Sequence, residues 1–230
     1  MHWGHHRNDR SEPYFKLVGI RLDVGLTYRY QIEHVRQKIG QSLSLIIRSK
    51  AFLSSRAKIL LYTSLIQSHL TYGVSIWGGT YKTYLDKLIS LQKKALRIVV
   101  GAPYNSHTVP IFGRLKLLQF DDLYKLSLIK LANTKINPSY DTPRSPLECF
   151  KIQTPTITRS SKTTNLVIPF CSQKSQERLC IHQVPFIYNS LNHLTLLDKS
   201  ANITDLFHST SIDKYRKFIC LKKNCYSCKR

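Results

Sequence analysis

The chain has 230 residues, of which 42% are hydrophobic; this is enough for a real core in one domain or two small ones, and it excludes a wholly disordered protein. Its charge is strongly unbalanced, because 35 Lys and Arg residues against 13 Asp and Glu residues give a formal net charge of +22. Such an excess attracts polyanions, and a cationic surface gains affinity for nucleic acid by releasing counterions condensed on the phosphates. Nucleic acid is therefore the predicted partner, and the alternative is a merely soluble basic protein.

The beginning of the chain is polar. Its first 13 residues contain no apolar stretch typical of a secretory signal, so we expect an intracellular protein, in the nucleus or the cytoplasm and not secreted. The six cysteines are then expected to be free thiols rather than a disulfide framework. His2, His5 and His6 fall in this stretch, which we interpret as a disordered N-terminus (residues 1 to 13) rather than a metal site.

The first predicted element covers residues 14 to 23, where apolar and polar residues alternate near Gly19 and indicate a short strand. A glycine at this point allows the backbone to pass close to a nucleic-acid strand. Gly19 is therefore a candidate nucleic-acid-binding residue. The alternative is an ordinary edge strand in which the glycine serves only packing.

Four helical patterns follow. The first carries one apolar stripe at spacings of three and four residues, formed by Ile32, Val35, Ile39, Leu43 and Ile46. Gly40 weakens this helix by about 1 kcal/mol relative to alanine. The second begins after Ser54-Ser55, a typical N-cap, and runs to about Leu70.

The third helix is predicted from about residue 82 to residue 100, with Leu85, Leu88, Ile89, Leu96 and Val99 on one face. The fourth runs from about residue 120 to residue 135, before Asn137-Pro138 ends it. Short connections between the four helices predict antiparallel neighbours in a compact bundle.

Residues 59 to 81 contain no Asp, Glu, Lys or Arg and are long enough to span a bilayer. Polar residues such as Gln67 and His69 interrupt the stretch, and Gly78-Gly79 indicate a turn near its end. We therefore predict a buried core helix and no membrane partner.

Basic residues are concentrated on two of the predicted helices. The candidates for phosphate contact are Lys38 and Arg48 on the first helix, and Lys82, Lys87, Lys93, Lys94 and Arg97 on the third. At 100° per residue, Lys87 and Lys94 fall roughly opposite the apolar stripe, and Arg97 lies on its flank. The alternative for each residue is a solvated face that binds nothing.

Aromatic residues are interleaved with these cations and could stack on bases or ribose. They are Tyr72, Trp77, Tyr81 and Tyr84. For Tyr72 and Trp77 we expect instead a place in the core of the bundle.

The composition changes after the fourth helix. Residues 137 to 163 are rich in Pro, Ser and Thr and are interpreted as a linker, which separates residues 14 to 136 from a small C-terminal region, residues 164 to 230. The basic tail offers Cys220, Cys225 and Cys228 at a short spacing that suits zinc, with His208 as a fourth ligand. The alternative is free thiols on a basic tail and no metal.

Residues 58 to 100 resemble the segment that follows the polymerase palm in reverse transcriptases of non-LTR retrotransposons, the jockey-like LINE elements. The residues that carry the resemblance, in order and spacing, are Leu61-Tyr62, Leu65-Ile66, Leu70-Thr71-Tyr72-Gly73, Trp77-Gly78, Leu88, Leu91-Gln92, Lys94-Ala95 and Arg97-Ile98.

Two weaker resemblances flank this segment. Leu17-Val18-Gly19-Ile20 is similar to the hairpin called the primer grip, although Leu17, Tyr28 and Gln31 stand where the family has an aromatic residue, a tryptophan and a histidine. Towards the C-terminus, residues 158 to 161 (TRSS), 165 to 169 (NLVIP) and 189 to 191 (NSL) resemble a turn, a strand and a helix start of the family, with Tyr188 in place of its tryptophan.

The resemblance implies a thumb that holds a template–primer duplex against the palm. The family's magnesium-binding carboxylates belong to the palm, upstream of this segment, so we expect no catalytic residue in this chain. Asp121-Asp122 is predicted to begin a helix, where the helix dipole favours acidic residues. No cofactor is predicted for the chain, although the parent polymerase would need Mg²⁺.

We therefore expect a mainly α protein: an antiparallel, thumb-like helical bundle with a short N-terminal β element and a small, poorly ordered α+β C-terminal region. Its predicted function is that of a fragment of an RNA-directed DNA polymerase that lacks the palm and binds RNA or an RNA–DNA duplex, with no obligate protein partner. Two alternatives are a stand-alone basic nucleic-acid-binding protein and a degraded, element-derived reading frame without function.

Overall fold

The computed structural model describes residues 13–136, 166–172 and 176–192. These residues are mainly helical and begin with a short two-stranded antiparallel sheet, so the predicted fold class is confirmed. The predicted linker, the TRSS motif, the N-terminal histidines, His208 and the tail cysteines Cys220, Cys225 and Cys228 lie outside the described residues.

The first element is a hairpin rather than the single strand that the alternation predicted. Strand β1 (Phe15–Leu17) pairs with β2 (Ile20–Leu22), with Leu17 opposite Ile20. Val18 and Gly19 form the connection, and their φ angles of 47° and 77° are both positive, as in a type I′ turn. The alternation missed this reversal because Val18, a β-branched residue, is a rare occupant of a left-handed position, whereas the resemblance of residues 17 to 20 to the primer-grip hairpin implied it.

Helix α1 (Arg29–Ser49) buries the five apolar residues of the predicted stripe. The loop before it is held by Asp23, whose carboxylate accepts hydrogen bonds from the backbone N–H groups of Thr27 at 2.9 Å and Tyr28 at 2.7 Å. Gln31 is buried as well, and its side-chain oxygen accepts a hydrogen bond from the backbone N–H of Arg21 at 3.0 Å. This bond fastens β2 to the first turn of α1.

The second predicted helix is a continuous helical stretch in three parts, namely α2 (Ser55–Leu61), a π-helical segment (Tyr62–Gln67) and α3 (Ser68–Thr71). The Ser54 hydroxyl accepts a hydrogen bond from the Ala57 N–H at 3.3 Å, which confirms the predicted cap. Tyr62, Ile66 and Leu70 are fully buried, so the stretch is a core element. Within the described ranges, no helix has the length and apolar character to cross a membrane.

A short helix, α4 (Val74–Trp77), precedes the two long helices α5 (Lys82–Val100) and α7 (Phe120–Ile136), whose bounds agree with the prediction. Between them lies α6 (Val109–Leu115), which the sequence did not predict. Asp121 and Asp122 occupy the first turn of α7, as expected for acidic residues at a helix N-terminus.

The main core lies between the hairpin and helices α1 to α7, and its largest fully buried side chains are Trp77, Tyr62, Phe112 and Phe120. A second, smaller core joins α7 to α8 (Cys180–Asn192) and contains Leu128, Ala132, Leu166, Val184 and Tyr188.

The C-terminal motifs are arranged differently from the prediction. Leu166 forms an isolated bridge, and residues 167 to 170 adopt no regular secondary structure, so the strand that the resemblance implied for NLVIP is not formed by its described residues, 166 to 169. Asn189 lies near the end of α8 rather than at a helix start. Its amide exchanges two hydrogen bonds with the Leu166 backbone, both at 2.8 Å, and thereby supplies the pairing that a neighbouring strand would otherwise give.

Candidate nucleic-acid interface

Helix α5 has a buried face and a basic face. Leu85, Leu88, Leu96 and Val99 are buried and Ile89 is partly buried, whereas Lys87 and Lys94 are exposed. The two lysines, which we call the lysine pair, are seven residues apart and therefore lie about 10 Å from each other along the helix axis on nearly the same side. A pair of cations at this separation can contact two phosphates of one backbone.

Arg97 is placed differently from the lysine pair. It is half-buried, its Nε donates a hydrogen bond to the Ser106 carbonyl oxygen at 2.9 Å, and its guanidinium lies 5.9 Å from the centre of the Tyr104 ring. Arg97 therefore fastens the loop after α5 to the helix. The guanidinium has five N–H donors, so this contact leaves others for an anion.

The remaining basic candidates also divide by exposure. Lys82 is exposed at the start of α5 and Lys93 is half-buried, whereas Lys38 and Arg48 are exposed on α1. The Nε of Arg48 donates a long hydrogen bond of 3.4 Å to the Ser44 carbonyl oxygen within its own helix.

The contacts of Glu33 show where the basic residues of α1 and α5 lie relative to each other. Its carboxylate is paired with Arg36 at 2.6 Å, and this hydrogen bond, assisted by the charge of Lys87, holds the pKa of Glu33 below its usual range. Lys87 therefore lies beside the Glu33 side of α1. Lys38 is five residues further along, about 140° around the helix, and points to a different side. The predicted basic set thus occupies two faces rather than one.

The hairpin turn is held by Tyr72, which we predicted to lie in the core. Its side chain is 54% exposed, and its hydroxyl donates a hydrogen bond to the Val18 carbonyl oxygen at 2.6 Å. Gly19 is exposed beside this contact, and a methyl group there would lie 3.5 Å from the Tyr72 hydroxyl. The backbone at Gly19 is therefore accessible from the outer side of the hairpin.

The other aromatic candidates are engaged within the protein. Trp77 is fully buried as predicted, stacks on Phe120 at 5.5 Å and donates its indole N–H to the Tyr72 carbonyl oxygen at 2.9 Å. Tyr81 is 41% exposed, but the guanidinium of Arg178 lies 3.7 Å from the centre of its ring. Tyr84 contacts the Tyr81 ring edge-on at 6.0 Å.

A buried polar junction, which was not predicted from the sequence, connects α5 to the residues packed against its apolar face. The Gln92 side chain, 1% exposed, donates hydrogen bonds to the Tyr62 hydroxyl and the Leu118 carbonyl oxygen, both at 3.1 Å. Its own oxygen accepts the Phe120 N–H at 3.0 Å. Burial raises the pKa of Tyr62 to about 12, so the phenol stays neutral. The signal in the sequence was a glutamine placed on the apolar face of a helix.

Among residues 13–136, 166–172 and 176–192, no group of three or more His, Cys, Asp or Glu side chains is arranged to hold a metal ion.

Three curated proteins are similar to part of this chain. The RNA-directed DNA polymerase from the mobile element jockey of Drosophila melanogaster is 32% identical over 117 residues, which are 49% of this chain and 13% of that protein. Its counterpart from Drosophila funebris is 30% identical over 113 residues, 47% of this chain and 12% of that protein. The resemblance to non-LTR retrotransposon reverse transcriptases is confirmed.

The third relative, the probable RNA-directed DNA polymerase from transposon BS of Drosophila melanogaster, is 28% identical over 92 residues, 39% of this chain and 10% of that protein. The chain thus spans about an eighth or less of the length of each curated relative that it matches. No family model matches the chain, and no solved structure matches it.

Proposed function

We propose that this chain binds the sugar–phosphate backbone of RNA or of an RNA–DNA duplex, as the thumb of a transposon RNA-directed DNA polymerase does. In this proposal the carboxylates of polymerisation belong to a palm outside the chain, and binding requires no metal. The relatives' names, which describe RNA-directed DNA polymerases, support the choice of nucleic acid.

The observation that carries the proposal is the division of α5 into two faces. Its apolar face is buried against the bundle and is fixed from below by Gln92, so the helix cannot rotate without breaking the core. The two Cα atoms of the lysine pair are therefore held at a constant separation on one side of the helix. The backbone at this position needs no reordering when a phosphate binds, which favours binding.

The hairpin supplies a second contact. Gly19 is exposed at a turn whose position is set by Tyr72, and no side chain at that residue keeps a strand away from the backbone. We infer that the turn approaches the same strand as the basic residues of α1. Contacts to phosphate and to sugar do not distinguish one base from another, so we expect the affinity to be independent of base sequence.

The proposal is tested by measuring the affinity of the purified chain for a labelled RNA–DNA hybrid by fluorescence anisotropy at several salt concentrations. We expect log K to fall linearly with log salt, by about 0.7–0.9 for each phosphate neutralised, with equal affinity for unrelated sequences. Undetectable binding at low salt, or an affinity that does not depend on salt, would contradict the proposal.

A further inference from the structure

A second group of basic side chains comes together where the hairpin folds back onto the bundle. Lys16 and Arg21 are opposite each other across β1 and β2. His34 and Lys38 are four residues apart on α1 and so lie on one side of it, and His69 belongs to α3, which packs against α1. We call these five residues the hairpin cluster. Only Lys38 was identified from the sequence.

The hairpin cluster is ordered by contacts on both strands. The backbone N–H of Arg21 donates a hydrogen bond to the side-chain oxygen of buried Gln31 at 3.0 Å, which fixes β2 against α1. The Arg21 guanidinium lies 4.9 Å and the Lys16 ammonium 5.9 Å from the centre of the Tyr14 ring, and that ring packs on Tyr30 at 5.3 Å. One aromatic side chain thus positions both cations of the hairpin.

The electrostatic field within the cluster is positive. Burial lowers the pKa of His34, and the neighbouring Arg21, Lys38, His69 and Lys16 lower it further, in that order. The strongest charges acting on the imidazole are all basic, because Glu33, the acidic neighbour in sequence, is paired with Arg36 towards α5. Positive charges held close together repel one another, and an anion bound among them reduces this repulsion.

We propose that the hairpin cluster is a phosphate-binding site in which His34 gains a proton as the phosphate binds. The proposal that the phosphate belongs to nucleic acid rests on the proposed function. The site lies on the Lys38 side of α1, away from Glu33 and Lys87. It would therefore contact a different stretch of the nucleic-acid backbone from the one that the lysine pair contacts.

A proton-linked site has a defined pH dependence. A phosphate placed among these side chains favours the charged imidazole, so binding raises the pKa of His34, and by linkage the affinity rises as pH falls through the histidine range. If binding raises this pKa by about one unit, the affinity gains about fivefold, and at most tenfold, between pH 8 and pH 5.5. If no phosphate bound at the hairpin cluster, the positive neighbours would continue to disfavour protonation of His34. The affinity for nucleic acid would then not rise through this histidine as pH falls.

The site is tested first by NMR on the wild-type chain, which avoids any change in folding. The C2 proton of His34, assigned through its loss in His34→Gln, is titrated with and without pyrophosphate at constant ionic strength. We expect pyrophosphate to raise the pKa of His34 by about one unit and to leave the C2 proton signal of the exposed His107 where it is at each pH. An unchanged pKa of His34 would overturn the site, whether or not the chain binds nucleic acid.

The source of the phosphate is tested with the RNA–DNA hybrid. We expect the gain in wild-type affinity between pH 8 and pH 5.5 to be largely lost in the double variant His34→Gln, His69→Gln and retained in His107→Gln. The same pH dependence in the double variant would overturn the assignment to nucleic acid. If the hybrid does not bind but pyrophosphate still raises the pKa of His34, the proposed function fails, whereas the site stands as one for a free phosphate.

Discussion

The hydroxyl of Tyr72 donates a hydrogen bond to the Val18 carbonyl oxygen at 2.6 Å, across 54 residues of sequence. Tyr72 is the C-cap residue that follows α3, and its own carbonyl oxygen accepts a hydrogen bond from the indole N–H of buried Trp77. The bond therefore connects the tip of the hairpin to the centre of the core. It holds a turn in which Val18 has a φ of 47°, a conformation unfavourable for a β-branched residue.

The substitution Tyr72→Phe tests this connection. It removes the hydroxyl but retains the ring, and because the exposed Val18 carbonyl can bond to water, we expect unfolding free energy to fall by no more than about 1 kcal/mol. The local effect is larger. Hydrogen exchange of the amides in residues 15 to 22 should accelerate, while exchange within α5 stays the same. Unchanged exchange in the hairpin would mean that the bond does not fix the turn.

The buried amide of Gln92 is expected to be the most sensitive polar position of the described core. The substitution Gln92→Leu retains most of the volume but leaves the Tyr62 hydroxyl, the Leu118 carbonyl and the Phe120 N–H without their partner. Because an unsatisfied buried group costs about 1–3 kcal/mol, we expect a loss of about 3 kcal/mol in urea unfolding. The exposed Gln37→Leu is the control and should change stability by less than about 0.5 kcal/mol. Equal stability of the two variants would contradict the role of Gln92.

Substitution by alanine should change the stability of the protein in opposite directions at two glycines. Gly40 lies inside α1, and a methyl group there would meet no atom within 4 Å, so Gly40→Ala should stabilise the protein by about 1 kcal/mol. Gly73 has a φ of 59°, and a methyl group there would lie 2.6 Å from the end of the Ile20 side chain. Gly73→Ala should therefore destabilise the protein by about 1–2 kcal/mol. Thermal unfolding of both variants measures the two effects, and shifts of the same sign would contradict the backbone assignment.

The carboxylate of Asp23 gives a prediction for pH. Burial acts to raise its pKa, but hydrogen bonds from the Thr27 hydroxyl, the Thr27 N–H and the Tyr28 N–H outweigh it and keep the pKa below the ordinary value of 3.8. A depressed pKa contributes stability that is complete above the unfolded value and is lost as pH falls through the folded one. Asp23→Asn should therefore lower the unfolding free energy by about 2 kcal/mol at pH 7, with a smaller difference below pH 3. A difference independent of pH would contradict this account.

The sequence predicted those elements whose signals are local. The bounds of α5 follow from its apolar stripe and from Gly101, which ends the helix with a φ of 72°. Helix α6 was missed because seven residues are too short to establish a periodicity, and its Pro110 is equally typical of a loop. The division of α5 into a buried and a basic face was likewise predictable, since it depends on one helix alone.

The parts that sequence could not predict depend on distant contacts. The Tyr72 hydroxyl bonds to Val18 because the hairpin folds beside the end of α3, and the Arg97 guanidinium bonds to Ser106 because the loop after α5 returns to the helix. The hairpin cluster forms only when β2 folds back on α1, so His34 showed no distinguishing feature in the sequence. Each of these contacts joins elements whose relative positions are set by tertiary packing rather than by local pattern.

The central claim is that the lysine pair contacts phosphate, and a double variant with a matched control tests it most directly. Lys87→Ala with Lys94→Ala removes two exposed charges from α5, and Lys50→Ala with Arg56→Ala removes two exposed charges near the connection between α1 and α2. Anisotropy titrations with the RNA–DNA hybrid should show weaker binding and a salt slope about 1.4–1.8 units shallower for the first variant only. Identical affinities and salt slopes for the two variants would contradict the claim and leave the net charge of the chain, rather than α5, as the source of binding.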